Sequence, residues 1–164
     1  MRPYPLAALL LTFSLSSAHA LTDLAGKPAA IADVVGKGKW TVFEVWASDC
    51  PYCPDAILYM KDFKARYPQA DLYGISLDGD LGKEASYPAA KRFIQQQGIH
   101  FPTLVGSTLE IDNYLHQQGR DKLFGTPSLL IFNPKGELRG IESGAAIADD
   151  VIDFIKMEES SVKP

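Results

Sequence analysis

One stretch of the chain decides its fold: residues 40–53 read Trp-Thr-Val-Phe-Glu-Val-Trp-Ala-Ser-Asp-Cys-Pro-Tyr-Cys. Its first part, Trp40–Ala47, is rich in β-branched and aromatic side chains, which predicts a strand buried on both faces. Apolar side chains then recur at spacings of three and four over residues 51–67. Because Pro51 suits a first helical turn and Pro68 cannot continue a helix, this segment is predicted to be helical.

Strand and helix patterns alternate along the rest of the chain. Further strands are predicted at residues 71–77, 102–105, 127–132 and 137–141, and further helices at 86–97, 107–118 and 147–156. Strands that alternate with helices pair in parallel through helical crossovers, whereas the turn Asn133–Gly136 favours an antiparallel hairpin. The sequence therefore predicts an α/β fold with a central mixed β-sheet flanked by helices. Ser86 or Tyr87 is expected to cap the second helix, and residues 78–86 are expected to form a mobile loop.

The composition is that of one globular domain. The chain has 164 residues, of which 46% are hydrophobic and 22% are charged, and this excludes a mainly disordered protein. A formal net charge of −4 gives no indication of a nucleic-acid-binding surface. The two cysteines are too few for a disulfide scaffold or for a zinc site with four sulfur ligands.

The first twenty residues have the pattern of a secretory signal peptide. Arg2 precedes the apolar run Leu6–Leu15, and Ala18-His19-Ala20 is a small-residue cleavage site. The apolar run is much shorter than the roughly 20 residues of a membrane-spanning helix, which argues against a stable membrane anchor. We therefore expect cleavage near Ala20, a single mature domain over residues 21–164, and a periplasmic or otherwise secreted location.

Cys50 and Cys53 are the only cysteines, and they are three positions apart. A disulfide between them closes too small a loop to be a useful staple, so the pair needs a chemical reason. Cys50 lies where the strand meets the helix, and the free N–H groups and dipole of a helix N-terminus favour a thiolate. We expect Cys50 to be the exposed nucleophile that attacks a partner's disulfide, and the buried Cys53 to resolve the mixed disulfide.

The segment Trp46–Cys53, together with Gly125-Thr126-Pro127 just before a later strand, resembles the active site and the cis-proline loop of the thioredoxin superfamily. The signal peptide and the extra helix and strand around residues 86–105 are similar to the extracytoplasmic TlpA/ResA-like thiol–disulfide oxidoreductases. The resemblance covers roughly residues 30–157 and implies a thioredoxin-like fold.

The resemblance also implies roles for individual residues. Cys50 matches the attacking cysteine and Cys53 the resolving one, as the helix position already suggests. The Thr126-Pro127 bond is expected to be cis, which turns the backbone of Thr126 toward an incoming chain. Glu44 matches a buried acid, whose raised pKa would let it take the proton from Cys53. Tyr52 lies between the two cysteines, and we expect its exposed side chain to contact the substrate as well.

These roles describe an extracytoplasmic enzyme of the protein disulfide reductase type. Its expected partners are protein thiols or disulfides and a membrane electron donor, and neither a cofactor nor a metal is expected. Asp49 and Asp55 depart from the family pattern, which has Trp before the first cysteine and often a basic residue after the second. Acids beside the dithiol oppose thiolate formation, and this predicts a moderately reducing to intermediate potential.

Two other functions use the same thiols. A copper chaperone would use them as soft ligands and needs a third one, for which Met60, His100 and His116 are poorly placed in the sequence. A thiol peroxidase usually has a Pro-x-x-x-Thr/Ser-x-x-Cys setting, which is missing here. The two histidines are expected to be structural. The predicted core includes Phe101, Phe124, Leu129, Ile131 and Phe132.

Overall fold

The structure is a computed structural model that describes residues 21–161, in which seven strands form one mixed sheet. The strands are β1 (Leu21–Asp23), β2 (Pro28–Ala29), β3 (Thr41–Trp46), β4 (Asp71–Ser76), β5 (Thr103–Val105), β6 (Ser128–Phe132) and β7 (Leu138–Ser143). The helices are α1 (Cys53–Arg66), α2 (Lys83–Gln97), α3 (Thr108–Gln117) and α4 (Ala148–Ser161), with short 3-10 helices at Ile31–Asp33 and Leu77–Leu81. The expected signal peptide, residues 1–20, lies outside the described residues. Within the described range, no helix is long and apolar enough to cross a membrane.

The strand order is β2-β1-β5-β4-β3-β6-β7. β3, β4 and β5 pair in parallel, whereas β6 pairs antiparallel with β3 and β7 antiparallel with β6. This confirms the predicted α/β fold with a mixed sheet and a terminal hairpin. Because β6 runs antiparallel to β3, the first residue of β6 lies at the same end of the sheet as the C-terminal ends of β3, β4 and β5. The loops at that end of the sheet carry the predicted site residues.

β3 is covered on both faces, as its composition predicts. Phe43 and Val45 pack in a cluster that includes α3, and Val42 and Trp46 pack on the opposite side with side chains of α1. Glu44 falls between Val42 and Trp46 in this alternation, so it faces the α1 side of the sheet. A carboxyl group is therefore placed inside an apolar layer.

The predicted extra helix and strand are α2 and β5, but α2 begins a turn earlier than expected. Gly82 has a φ of 82° and precedes the first helical residue, Lys83, so neither Ser86 nor Tyr87 is the cap. Pro88 consequently lies inside the helix, where it cannot donate an amide hydrogen bond. The first turn, residues 83–86, is exposed apart from Ser86 and has no large apolar side chain, so no apolar periodicity marked it.

The expectation of a mobile loop at residues 78–86 is wrong. Its first part belongs to the 3-10 helix Leu77–Leu81, and Asp78 is only 2% exposed. The Asp80 carboxylate accepts hydrogen bonds from the backbone N–H and the hydroxyl of Thr108. The bonds from Thr108 hold this part of the segment against α3, and the rest of the segment is the N-cap and first turn of α2.

Candidate redox site

Cys50 and Cys53 form a disulfide, with their Cα atoms 5.5 Å apart, at the point where β3 leads into α1. The backbone N–H of Cys50 donates to the Ala47 carbonyl, and that of Cys53 donates to the Cys50 carbonyl. Cys53 is fully buried, as expected. Cys50 is only 8% exposed, so the expectation of an exposed nucleophile is wrong, although Cys50 remains the more accessible of the two cysteines.

The disulfide rests on an apolar floor, which explains why Cys50 is largely covered. Both cysteines belong to a buried cluster with Trp46, Ile57, Ala90, Phe93, Ile99 and Val105. The Trp46 ring stacks on Phe93, with ring centroids 4.6 Å apart and planes inclined by 24°. The helix α2 therefore helps to form the site, because it supplies Phe93.

The start of α1 is not capped by a side chain. Tyr52 is the N-cap residue and makes no side-chain capping hydrogen bond within the described structure, and Pro54 follows in the first turn. Uncapped N–H groups and the positive end of the helix dipole favour negative charge on the sulfur nearest to them. This arrangement supports a thiolate on Cys50 when the disulfide is open.

Glu44 is buried beneath this site and is 2% exposed. Burial raises the pKa of its carboxyl group well above the ordinary value. Its register partners are neutral, Gly74 on β4 and Leu129 on β6, and its Oε1 atom has no hydrogen-bond partner within residues 21–161. A neutral, protonated carboxyl group is the form that such surroundings favour.

The two acids that depart from the family pattern lie in solvent. Asp49 and Asp55 are both exposed, on the loop before Cys50 and in the first turn of α1. Charges in water are screened, so each has a weaker effect on the sulfur than a buried charge at the same distance would have. Tyr52, between the cysteines, is 70% exposed, as expected.

The Thr126-Pro127 peptide bond is cis, as the resemblance predicts. Two hydrogen bonds hold this loop: the Ser128 hydroxyl donates to the Gly125 carbonyl at 2.7 Å, and the Gly144 N–H donates to the Pro127 carbonyl at 2.9 Å. Pro127 is buried and Thr126 is half-buried. These bonds fix the loop at the end of the sheet where β3 ends.

A cleft of about 280 Å³ is lined by Tyr52, which is exposed between the two cysteines, and by Phe124. Its other lining residues are Gly125, Thr126, Pro127, Ser143, Gly144 and Ala145. Phe124 is 85% exposed, so its assignment to the core is wrong. It belongs to the connection before the cis-proline loop rather than to a strand. Its position directly before Gly125-Thr126-Pro127 was the sequence feature that could have indicated this.

The remaining predicted candidates lie apart from this cleft. His100 lines a larger cleft of about 450 Å³ with Lys61 and Lys64, and none of the predicted site residues takes part in it. His116 is exposed on α3. In the described part of the chain, no group of three or more His, Cys, Asp or Glu side chains could hold a metal ion.

One feature of the site was missed from the sequence. Asp78, which follows β4, accepts hydrogen bonds from the backbone N–H and the hydroxyl of Ser48, two residues before Cys50. β3 and β4 are parallel neighbours with Trp46 opposite Ser76, so the loops that follow them meet. Only the strand register could have placed Asp78 beside Ser48.

Comparison with known proteins agrees with this geometry. The family model described as "AhpC/TSA family" matches residues 12–141. This match supports the predicted oxidoreductase activity. No curated protein sequence matches the chain.

Several solved structures share the fold. StoA from Bacillus subtilis is 20% identical with a TM-score of 0.61, over 83% of this chain and 94% of that one. A thioredoxin-related protein from Neisseria meningitidis serogroup B is 17% identical with a TM-score of 0.66, over 85% and 98%. A secreted Mycobacterium tuberculosis disulfide oxidoreductase, homologous to E. coli DsbE, is 18% identical with a TM-score of 0.61, over 84% and 93%. At these identities the likeness establishes the thioredoxin-like fold.

Proposed function

The chain belongs to the AhpC/TSA family, and from that premise we propose that it is a thiol–disulfide oxidoreductase that exchanges its Cys50–Cys53 pair with protein partners. One observation carries this proposal: the disulfide lies at an uncapped helix N-terminus, and Tyr52 between the two cysteines lines a cleft together with the cis-proline loop. Such a site gives one sulfur of the pair access to another polypeptide.

The first step in the reducing direction uses Cys50. Its thiolate attacks one sulfur of the partner's disulfide, a mixed disulfide forms, and the other partner sulfur leaves as a thiolate that takes a proton from solvent. Cys50 is the attacking residue because it is the more accessible cysteine and lies just before the first turn of α1. The helix dipole stabilises its charge before the attack.

The second step uses Cys53 and Glu44. Cys53 is buried in an apolar cluster, so its thiol needs a base to remove the proton. Glu44 faces α1 from the neighbouring strand, and once its carboxyl group has released its own proton to water, the raised pKa makes the carboxylate a better base than an ordinary one. The Cys53 sulfur then attacks the Cys50 sulfur, and the bond between Cys50 and the partner breaks. The partner sulfur leaves as a thiolate that takes a proton from solvent, so the partner ends as a dithiol that has gained two electrons.

The cleft binds the partner's chain. The backbone of Thr126 pairs with an extended segment around the partner's cysteine, and Pro127 lines the same cleft as Tyr52. Tyr52 and Phe124 are both exposed and stand on either side of the cleft, where each can contact an apolar side chain of the partner. Two aromatic contacts of this kind suit a polypeptide better than a small disulfide.

We further propose that the protein acts outside the cytosol as a reductant. The signal-peptide pattern of residues 1–20 supports cleavage near Ala20, which leaves residues 21–164 as one domain in a periplasmic or otherwise secreted location. One of the structures with this fold is described as secreted. A reductant in an oxidising compartment needs resupply, so a membrane electron donor is the expected second partner.

The test is to trap the partner. A Cys53→Ser variant produced in cells stops at the mixed disulfide on Cys50, and a Cys50→Ser variant is the matched control. We expect the first variant alone to form disulfide-linked species that a reducing agent releases and that identify the substrate. If both variants trap the same species or none, and the purified protein cannot be cycled between disulfide and dithiol, the proposal is wrong.

Peroxide reduction by the same thiols is the alternative that this test must separate. The positions seven and three before Cys50 hold Phe43 and Ala47 rather than the proline and the hydroxyl residue of a peroxidatic cysteine. We therefore expect hydrogen peroxide consumption no faster than that of the Cys50→Ser control. Fast consumption by the unaltered chain would favour a thiol peroxidase instead.

A further inference from the structure

Asp78 is a buried carboxylate next to the redox loop that the two-step exchange does not use. It is 2% exposed, and it takes part in none of the ion pairs within residues 21–161. Aspartate is almost never fully buried unless its charge is compensated, so the side chain needs donors. It has three: the Ser48 N–H at 2.9 Å, the Ser48 hydroxyl at 2.8 Å and the Ser76 hydroxyl at 2.9 Å.

These hydrogen bonds join the two loops that follow β3 and β4. The carboxylate of Asp78 bonds Ser48, and its own N–H donates to the Ser76 hydroxyl at 3.2 Å. The turn that begins at Ala47 and closes with the Cys50 N–H includes Ser48. The position of Cys50 relative to the sheet is therefore fixed from β4 as well as from β3.

The carboxylate of Asp78 lies within hydrogen-bond distance of Ser48, two residues before Cys50, so its charge is close to the Cys50 turn. A negative charge near a thiol opposes formation of the thiolate, and the effect is larger where protein rather than water lies between the groups. The other titratable groups around Cys50 are exposed, neutral or hydrogen-bonded elsewhere. They include Asp49, Asp55 and Tyr52 in solvent, Glu44 in the apolar layer and Tyr87 of α2, whose hydroxyl bonds Thr22.

We propose that Asp78 is a positioning residue of the redox pair, which holds the Cys50 turn through Ser48 and makes the Cys50 thiol less acidic than the helix N-terminus alone would make it. The inference rests on the proposed exchange reaction and deepens it, because a less acidic thiol favours a reductant over a strong oxidase. Asp78 thus opposes thiolate formation, the effect that the sequence analysis assigned to Asp49 and Asp55.

The test measures the acidity of Cys50 without any partner. In a Cys53→Ser background Cys50 is the only cysteine, and the pH dependence of its alkylation by iodoacetamide gives the thiol pKa. Asp78→Asn removes the charge but keeps an oxygen for Ser48 and a donor for Ser76. We expect its alkylation rate at pH 6, relative to the limiting rate at high pH, to rise at least about threefold.

Two controls separate charge from position. Asp49→Asn removes an exposed charge next to Cys50 and should change the same ratio less than twofold. Ser48→Ala keeps the carboxylate and the Ser48 N–H donor, so it should also leave the ratio within twofold. If Asp78→Asn leaves the ratio unchanged, or if Asp49→Asn changes it more, the proposal is overturned.

A further measurement tests the proposal even if the Asp78→Asn variant does not fold. With Asp78 in place, the Cys50 thiol of the Cys53→Ser chain is expected to have a pKa above about 6.5, in the upper part of the range for helix N-terminal cysteines or higher. A value below about 6.5 contradicts the proposal. Neither measurement depends on disulfide exchange with a partner, so this inference can fail while the exchange reaction stands, and the reverse.

Discussion

Glu44 has a carboxyl group that folding transfers from water into an apolar layer. Its pKa is raised well above 4.5 in the folded chain, so the folded state keeps a proton that the unfolded state releases. The stability that goes with the protonated form is complete below about pH 4.5 and is lost as the pH rises toward and through the raised value. Between these limits the unfolding free energy falls with rising pH.

We expect Glu44→Gln to remove this loss. At pH 8 the variant should be more stable than the unaltered chain by more than about 1 kcal/mol, because one unit of pKa corresponds to about 1.36 kcal/mol. At pH 4 the difference should vanish or reverse. Urea unfolding at both pH values measures it, with the exposed Glu142→Gln as a control that shows no such pH dependence. Equal effects of the two variants would contradict the assignment.

Phe124 is an aromatic side chain that folding leaves in water. We expect Phe124→Ala to slow reduction of a protein disulfide on the order of tenfold, since truncation of an interface aromatic costs about 1–2 kcal/mol. Reduction of oxidised glutathione should stay within about twofold, because a small disulfide does not fill the cleft. The exposed Leu109→Ala on α3 is the control. Equal slowing with both substrates would show that Phe124 acts on the sulfurs rather than on docking.

At the scale of elements, α2 contributes to the site through its stack with β3. Phe93 is buried and lies on Trp46, so Phe93→Ala leaves a cavity beneath the disulfide. We expect it to lower the free energy of unfolding by about 3–5 kcal/mol. Phe124→Ala removes the same atoms from an exposed position and should change stability by no more than about 0.5 kcal/mol. Denaturant unfolding of both variants gives the comparison.

The elements that sequence analysis predicted are those that their own periodicity specifies. β3 and α1 bury continuous or regularly spaced apolar side chains, and so both were predicted close to their observed ends. β1 is only three residues long, and its register is specified by pairing with β5 more than eighty residues later in the chain. The first turn of α2 has no large apolar side chain, so its start could not be predicted from hydrophobic spacing.

The candidate site divides in the same way. Cys50, Cys53 and Pro127 are recognisable because their local sequence determines what they do. Asp78 and Ser48 are thirty residues apart and meet only through the parallel register of β3 and β4. Whether a phenylalanine such as Phe124 is buried depends on its place in the folded chain, which hydrophobicity alone does not give.

For the whole molecule, the balance of charges around the disulfide sets its potential. The helix N-terminus favours the thiolate, whereas Asp78 from within and Asp49 and Asp55 from solvent oppose it. We expect a potential clearly more reducing than the roughly −120 mV of strong oxidases. Equilibration with known ratios of reduced and oxidised glutathione measures it. A value near about −120 mV would contradict both the charge argument and the assignment as a reductant.

The stack of Trp46 on Phe93 places an indole ring in the same buried cluster as the sulfurs, whereas Trp40, the other tryptophan, packs in a different cluster and bonds Glu159. Disulfides quench nearby indole emission, so opening the bond should brighten Trp46 while Trp40 gives a constant background. The fluorescence of Trp46 therefore reports whether the cysteine pair is oxidised or reduced, and stopped-flow fluorescence can follow each turnover without a label. A Trp46→Phe variant that keeps the whole signal would show that the emission change arises elsewhere.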